Sequence, residues 1–284
     1  MPHQTTATGV ILSKQVRKEL CNFLETLQTT SGLPLWTYYL IDAYFSVKEC
    51  CLFILEINAA FVDGWGTALN LSRASGIPVP KGSLIFPEHF AAQNQVYLPE
   101  LQLLQDELEA LGDNQHSIVP WDPEKYRGTK QTLYLYGKVS SADYPNIFPG
   151  DVERDNKMHL ARLSQRWIGN YVHVPRHFTI DDTSWEDIPE NAVLKFCDKE
   201  SDACQRAGSS VLFGKPRGKA PFLSRCYRNG ELFAQEYIAP EKKDGMNCQL
   251  IIMGCLCDPI CGYVQYSPRR LINDDSIHGP LLIA

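Results

Sequence analysis

Apolar residues recur every three to four positions over 13–30 (SKQVRKELCNFLETLQTT), which predicts a helix with Val16, Leu20, Phe23, Leu24 and Leu27 on one side. The SGLP break ends it. Two dense apolar runs follow, LWTYYLIDAYFS and CLFILEIN, joined by VKEC, and they predict adjoining strands. A helix is expected from Gly64 or Trp65 to Ser75, and Pro78, Pro80 and Gly82 then break the pattern. Residues 98–112 (LPELQLLQDELEALG) predict an amphipathic helix with Gly112 as its stop. TLYLYGKV (132–139) reads as a strand and SADYPNIFPGD as a loop. DNKMHLARLSQRWIGN (155–170) reads as a helix capped by Asp155, followed by the strand YVHVP. AVLKFC is a further strand, and 198–221 is a glycine-punctuated loop. FLSRCYRN, ELFAQEYIA and a cysteine-bearing pair ending at Tyr266 complete the expected strands.

With 284 residues, 44% apolar and 21% charged, the chain is expected to form one compact unit of two or three subdomains. A net charge of −6 argues against broad nucleic-acid binding. No stretch approaches the ~20 apolar residues of a membrane span, and residues 1–20 lack the apolar core of a signal peptide, so the expected location is the cytosol. Among ten cysteines, Cys248, Cys255, Cys257 and Cys261 lack paired C-x₂-C spacing, and they sit in strand-like text where cysteine packs as a small hydrophobe.

The candidate chemistry starts with Glu56 and Asn58. Strand side chains alternate, so these two share a face, and a hairpin would fold Asp42 back beside Glu56. Three such oxygens make a hard site suited to Mg²⁺, although Glu56 could simply mark where a core strand reaches water. Lys195 interrupts an apolar strand, where a buried ammonium needs an anion unless it snorkels to solvent from an edge. Lys157, early in its helix, reads either as a second cation of that kind or as a solvated lysine. The amides of Gly208, Ser209 and Ser210 could wrap phosphate oxygens, though the loop is no P-loop, since Pro216 follows Lys215. Lys215, Arg217 and Lys219 suit a local anion. Gln235, Glu236, Tyr237 and Ile238 close a strand whose backbone could pair with an adenine edge. Arg269, Arg270 and Asn273 follow another strand, where a guanidinium could clamp a phosphate or carboxylate.

Taken together, these segments resemble an ATP-grasp ligase in rotated order. DNKMHLARL resembles the entrance to the family's lid, putting Lys157 in place of the first lysine, and VLKF puts Lys195 in place of the second. AGSSVLFG stands where the glycine-rich loop belongs, AQEYI resembles the adenine hinge, and YSPRRLINDDSIHG resembles the segment carrying Arg270 and Asn273. The metal strands, LIDAYF and LEINAAF, stand at the front instead of the back. The implied fold is α+β: two ATP-grasp subdomains clamping ATP with a preceding-type α/β subdomain, circularly permuted. Residues 1–75 would be the metal-strand part of the core, 76–150 the α/β subdomain, 151–240 the lid and 241–284 the start of the core sheet. Two departures are the glycine-poor loop with its basic tip GKPRGKAP and the sequence AAFVDGWG after Asn58.

The resemblance implies a carboxylate–amine or carboxylate–nucleophile ligase that works through an acylphosphate. Asp42, Glu56 and Asn58 would hold Mg²⁺ or Mn²⁺, and Lys157 and Lys195 would bind ATP with the loop at 208–210 and the hinge at 235–238. Arg270 and Lys195 would stabilise the transferring phosphoryl group, while Asp63, Trp65 and Asn273 are candidates for the substrate pocket. The expected partners are small molecules, with no nucleic acid or membrane, and relatives commonly form homodimers. Two alternatives are a kinase-like phosphotransferase on the same fold and an inactive nucleotide-binding scaffold.

Overall fold

The structure is a computed structural model, and it describes residues 9–31, 38–58, 64–72, 84–86, 97–112, 117–120, 122–129, 133–135, 143, 147–148, 157–158, 161, 166–199, 201–272 and 276–284. In chain order the first elements are β1 (Val10–Leu12), α1 (Lys14–Ser31), β2 (Tyr38–Ser46), β3 (Cys51–Asn58) and α2 (Trp65–Ser72). The middle holds β4 (Leu84–Phe86), α3 (Tyr97–Ala110), β5 (Ile118–Pro120), α4 (Pro123–Tyr126), β6 (Leu133–Leu135) and β7 (Ile147–Phe148). Then come β8 (Val172–His173), β9 (His177–Phe178), β10 (Val193–Phe196), α5 (Asp202–Ala207), β11 (Val211–Phe213), α6 (Ala220–Arg228) and β12 (Leu232–Gln235). The last are β13 (Lys242–Lys243), β14 (Met246–Cys255), β15 (Asp258–Ser267) and β16 (Ile277–Ile283).

Among the described residues these elements form a mixed α+β architecture with three sheets. The largest runs β1-β16-β15-β14-β2-β3-β8, with β13 on β14. It joins the two ends of the chain: β1 lies parallel to β16, Val10 opposite Leu281, and β2 pairs antiparallel with β14. A second sheet runs β11-β10-β12-β9, and a third, all parallel, runs β5-β4-β6-β7. Among the described residues no helix is long and apolar enough to cross a membrane.

The apolar side of α1, with Val16, Leu20, Phe23, Leu24 and Leu27, packs on one face of the large sheet against Ile41, Ala43, Leu250 and Ile252. Burial of such a stripe is what stabilises a helix of this length, since propensity alone is marginal. The opposite face carries Leu40, Ile251 and Met253 and receives α2 and α3. The two helices approach so closely at Gly66 that a Cβ there would lie 2.6 Å from the Leu104 nitrogen. Trp65 is fully buried in this layer. Full burial favours a packing role for Trp65 over the substrate-pocket role. Trp65→Ala should destabilise the fold by roughly 3–5 kcal/mol, read from the denaturant midpoint; a loss below ~1 kcal/mol would contradict that role.

Several expected elements come out differently. FLSRCYRN is helical: Leu223, Cys226 and Tyr227 are buried at helical spacing, and α6 begins with a proline in its first turn. The expected loop at 198–221 contains α5, whose first turn is capped by Ser201, its Oγ accepting from the Cys204 amide at 3.2 Å. Gly208 then ends α5 in the left-handed region, φ 75°. Of the helix expected over 155–170, residues 157, 158 and 161 are helical but 166–170 are not. There Trp167 turns back to donate to the Val172 carbonyl at 2.9 Å and to pack its ring on Phe23.

Candidate active site

One irregularity in β3 creates the site. Pairing with β2 runs Ala43 to Ile54 and then Asp42 to Glu56, so Leu55 is an extra residue, a β-bulge. Before the bulge Leu52 and Ile54 face the α1 core; after it Ile57 does, and Glu56 and Asn58 face the other way. By taking Leu55 out of the alternation, the bulge keeps both polar groups on the face that carries Asp42. Asn58 donates to Asp42 Oδ2 at 3.2 Å, and Gln249, from β14, donates to Asp42 Oδ1 at 2.6 Å.

The bulge also frees the Leu55 carbonyl from regular strand pairing, and the second sheet takes it. Lys195 Nζ donates to it at 2.8 Å from β10, and Gln235 Nε2 at 2.9 Å from β12. Three ammonium groups then gather on the Glu56 carboxylate. Lys157 forms a short hydrogen-bonded ion pair with Oε1, Lys195 lies 3.5 Å from Oε2, and Lys199 lies 3.6 Å from Oε1. Lys157 and Lys195 are buried, each 6% exposed. Between the sheets lies a cleft of about 820 Å³, part of it open to solvent, lined by Asp42, Glu56 and the three lysines. Residues 235–238 and the pair Leu271 and Ile272 form other parts of its wall.

Burial, reinforced by the neighbouring Glu56, lifts the Asp42 carboxyl to about 6. Burial would raise Glu56 too, but the charges of Lys157, Lys195 and Lys199 outweigh it and hold that carboxyl well below the usual range. Lys157 is brought down to about 8 by burial, against the opposing pull of Glu56. The cluster thus sets three lysine side chains around Glu56, with Asp42 beside it. Such a cluster suits a polyanion that can take the lysines from Glu56.

The donors for a metal are two carboxylates and one carboxamide on one sheet face, all hard oxygens. Among the described residues no three His, Cys, Asp or Glu side chains cluster to hold an ion. The set is therefore too small for an all-protein cage, but it fits an ion such as Mg²⁺ that keeps waters or phosphate oxygens as ligands.

The remaining expected site residues divide between the cleft and its surroundings. The Gly208 amide donates to the Cys204 and Gln205 carbonyls, so capping occupies the N–H expected to wrap phosphate. Ser209 Oγ bonds within its own turn, donating to the Val211 carbonyl at 2.7 Å, whereas Ser210 lines the cleft. Arg270 is exposed and stacks its guanidinium over Phe213, 5.4 Å from the ring centre, and Phe213 in turn meets Tyr237 edge-on at 4.9 Å. Glu236, exposed, accepts from the Arg176 amide at 3.2 Å. Asp63 and Asn273 fall outside the described residues. The basic tip belongs to the second sheet's own packing: Lys215 lies over Trp185, and Lys219 donates to the last carbonyl of α5, that of Ala207.

The sequence reading missed Lys199, Gln249 and His177. His177 is buried with Nε2 2.9 Å from Gln235 Nε2, and burial together with the Lys195 charge lowers its pKa to about 3. The unfolded chain therefore binds a proton that the folded one refuses. The stability this represents is fully present above the unfolded value of 6.5 and is lost as the pH falls toward about 3. Roughly 3 kcal/mol should go by about pH 4, and His177→Gln should remove that dependence, seen by comparing urea midpoints at about pH 7 and about pH 4. Identical pH dependence in the two proteins would refute the assignment.

Architecture and cleft together define a mixed α+β protein in which two sheets face each other across a lysine–carboxylate cluster. The same fold occurs in the 1.90 Å crystal structure of a protein described as "putative gamma-glutamylcysteine synthetase" from Methylobacillus flagellatus KT. The likeness has a TM-score of 0.50 at 14% identity, over 99% of this chain and 87% of that one, and so concerns the fold alone. No protein-family model and no curated protein sequence matches the chain.

Proposed function

We propose that the protein is a circularly permuted ATP-grasp ligase that activates a carboxylate with ATP and transfers the acyl group to an amine or another nucleophile. The observation that carries this reading is the convergence of Lys157, Lys195 and Lys199 on Glu56 between two sheets. Support for the permuted order comes from the large sheet, where strands from 10–58 interleave with strands from 246–283. Residues 76–150 would be the α/β subdomain, since they include the parallel sheet, and 151–240 the lid, since they include the second sheet. The Methylobacillus protein's name adds support, because gamma-glutamylcysteine is an amide.

In this mechanism Lys157 and Lys195 leave Glu56 for phosphate oxygens of ATP, and Lys199 joins them from the lip of the cleft. Asp42, Glu56 and Asn58 would hold Mg²⁺ or Mn²⁺, which would supply positive charge to offset the charge developing on the phosphates. Gln235, Glu236, Tyr237 and Ile238 seat the base between the sheets. Phe213, held by Arg270 and Tyr237, closes one side of the entrance and limits water that would hydrolyse an acylphosphate. Arg270 serves there by position, with Lys195 left as the cation nearest the transfer.

The test is ADP release with pooled amino acids, small carboxylic acids and amines, followed by product masses. An amide product with ADP is expected. ADP with a stable phosphorylated product would make the protein a phosphotransferase, and tight ATP binding without ADP would make it a scaffold.

A further inference from the structure

Gln235 ends β12 where the second sheet runs into the wall of the cleft, and it is 2% exposed. Its amide orientation is fixed by its surroundings. The Leu55 carbonyl, 2.9 Å away, accepts only, so the group facing it must be the NH₂ and not the oxygen. The same nitrogen lies 2.9 Å from His177 Nε2, across the β9–β12 pair in which Gln235 opposes His177. An NH₂ has no lone pair to offer a ring N–H, so Nε2 must be the acceptor. The imidazole is thereby required to be neutral with its proton on Nδ1. Only one tautomer is compatible with the Gln235 contact.

The chain of contacts continues into the site. Gln235 uses one N–H on His177 and the other on the Leu55 carbonyl, which Lys195 also grips at 2.8 Å. Leu55 is the residue whose bulging out of the ladder keeps Glu56 and Asn58 directed into the cleft. We infer that His177 is a positioning residue, which as the Nδ1–H tautomer anchors Gln235 so that Gln235 and Lys195 together hold the Leu55 bulge and aim Glu56. Burial disfavours the imidazolium, in keeping with that role. Removing the acceptor leaves one N–H of a buried amide unpaired and releases Gln235 from one of its two anchors.

The inference has one arm independent of the proposed ligase activity and one that rests on it. In the first, side-chain ¹⁵N–¹H correlation spectra of the wild-type protein, assigned with His177→Gln, should show His177 neutral and protonated on Nδ1 at neutral pH. An Nε2-protonated or charged ring overturns the inference whether or not the protein turns over ATP. In the second, His177→Phe should lower kcat on the order of 10- to 100-fold while the KM for ATP moves less than about twofold. His177→Gln, which restores an acceptor, should recover most of the loss. Gln235→Leu should lower kcat at least as far as His177→Phe and also raise the KM for ATP, since Gln235 lines the base site, and adding His177→Phe to it should lower kcat no further. Variants that melt earlier but keep wild-type kcat per folded molecule would reduce His177 to a packing residue. Absence of turnover in the wild type would overturn the ligase reading and leave the tautomer spectrum to decide.

Discussion

Glu56→Ala should abolish Mg²⁺-dependent ATP turnover, lowering kcat by roughly 10³-fold. Two separate functions are lost at once. One is an oxygen ligand next to Asp42; the other is the counter-charge that gathers Lys157, Lys195 and Lys199 on one carboxylate. Stability should fall as well. Breaking a buried pair by removing one partner costs about 3–5 kcal/mol, because the remaining charge has no counter-ion. The cost is capped here, since Lys157, already brought to about 8 by burial, sheds its proton readily once Glu56 is gone. Glu56→Gln separates the effects by keeping the shape and removing the charge. ADP release and urea midpoints measured on both variants provide the check, and near-wild-type turnover in either would refute the assignment of Glu56.

The second large effect is expected at Lys195. All four residues of β10 are buried, and the Lys195 ammonium holds both the Leu55 carbonyl and Glu56. Lys195→Ala should weaken ATP binding by roughly 10- to 100-fold, the worth of one charge-assisted hydrogen bond at about 1.5–3 kcal/mol. Turnover should fall further, because the bulge then depends on Gln235 alone. Lys195→Arg should not rescue it: a planar guanidinium cannot replace a compact ammonium aimed at one carbonyl and one carboxylate. Calorimetric titration with ATP separates the binding loss from the catalytic one. Unchanged affinity in Lys195→Ala would move the phosphate site elsewhere in the cleft.

The legible parts of this fold were those with strong local periodicity. The stripe from Val16 to Leu27 announced α1, and the runs around Asp42 and Glu56 announced a hairpin that does place the two residues opposite each other. The misreadings have local causes too. Phe222, Leu223, Cys226 and Tyr227 favour strands by type, and only their spacing and Pro221 betray α6. The density of breakers around 201–219 hid α5, although Ser201 and Gly208 are ordinary start and stop signals. In the site, Lys195 stood out because it interrupts apolar text. Gln249 and His177 sit in strands whose polar residues carry no distinguishing pattern, and Lys199 stands in a run of charged residues. Their importance comes from pairings across 58 to 207 positions of sequence, which no local rule reads. The bulge at Leu55 was equally silent, since no glycine or proline marks it.

That silent residue makes β3 sensitive to reading phase. Paired regularly, with Leu55 taken into the ladder opposite Asp42, the same sequence would rotate Glu56 and Asn58 under α1 among aliphatic side chains and turn Ile57 toward the lysines. The same sequence, regularly paired, would be a better strand and no longer a site. Conservative replacement at position 55 should be tolerated, because the neighbouring sheet grips its backbone oxygen and not its side chain. What must be kept at this point is the irregular pairing and its gripped carbonyl, more than the identity of the side chain.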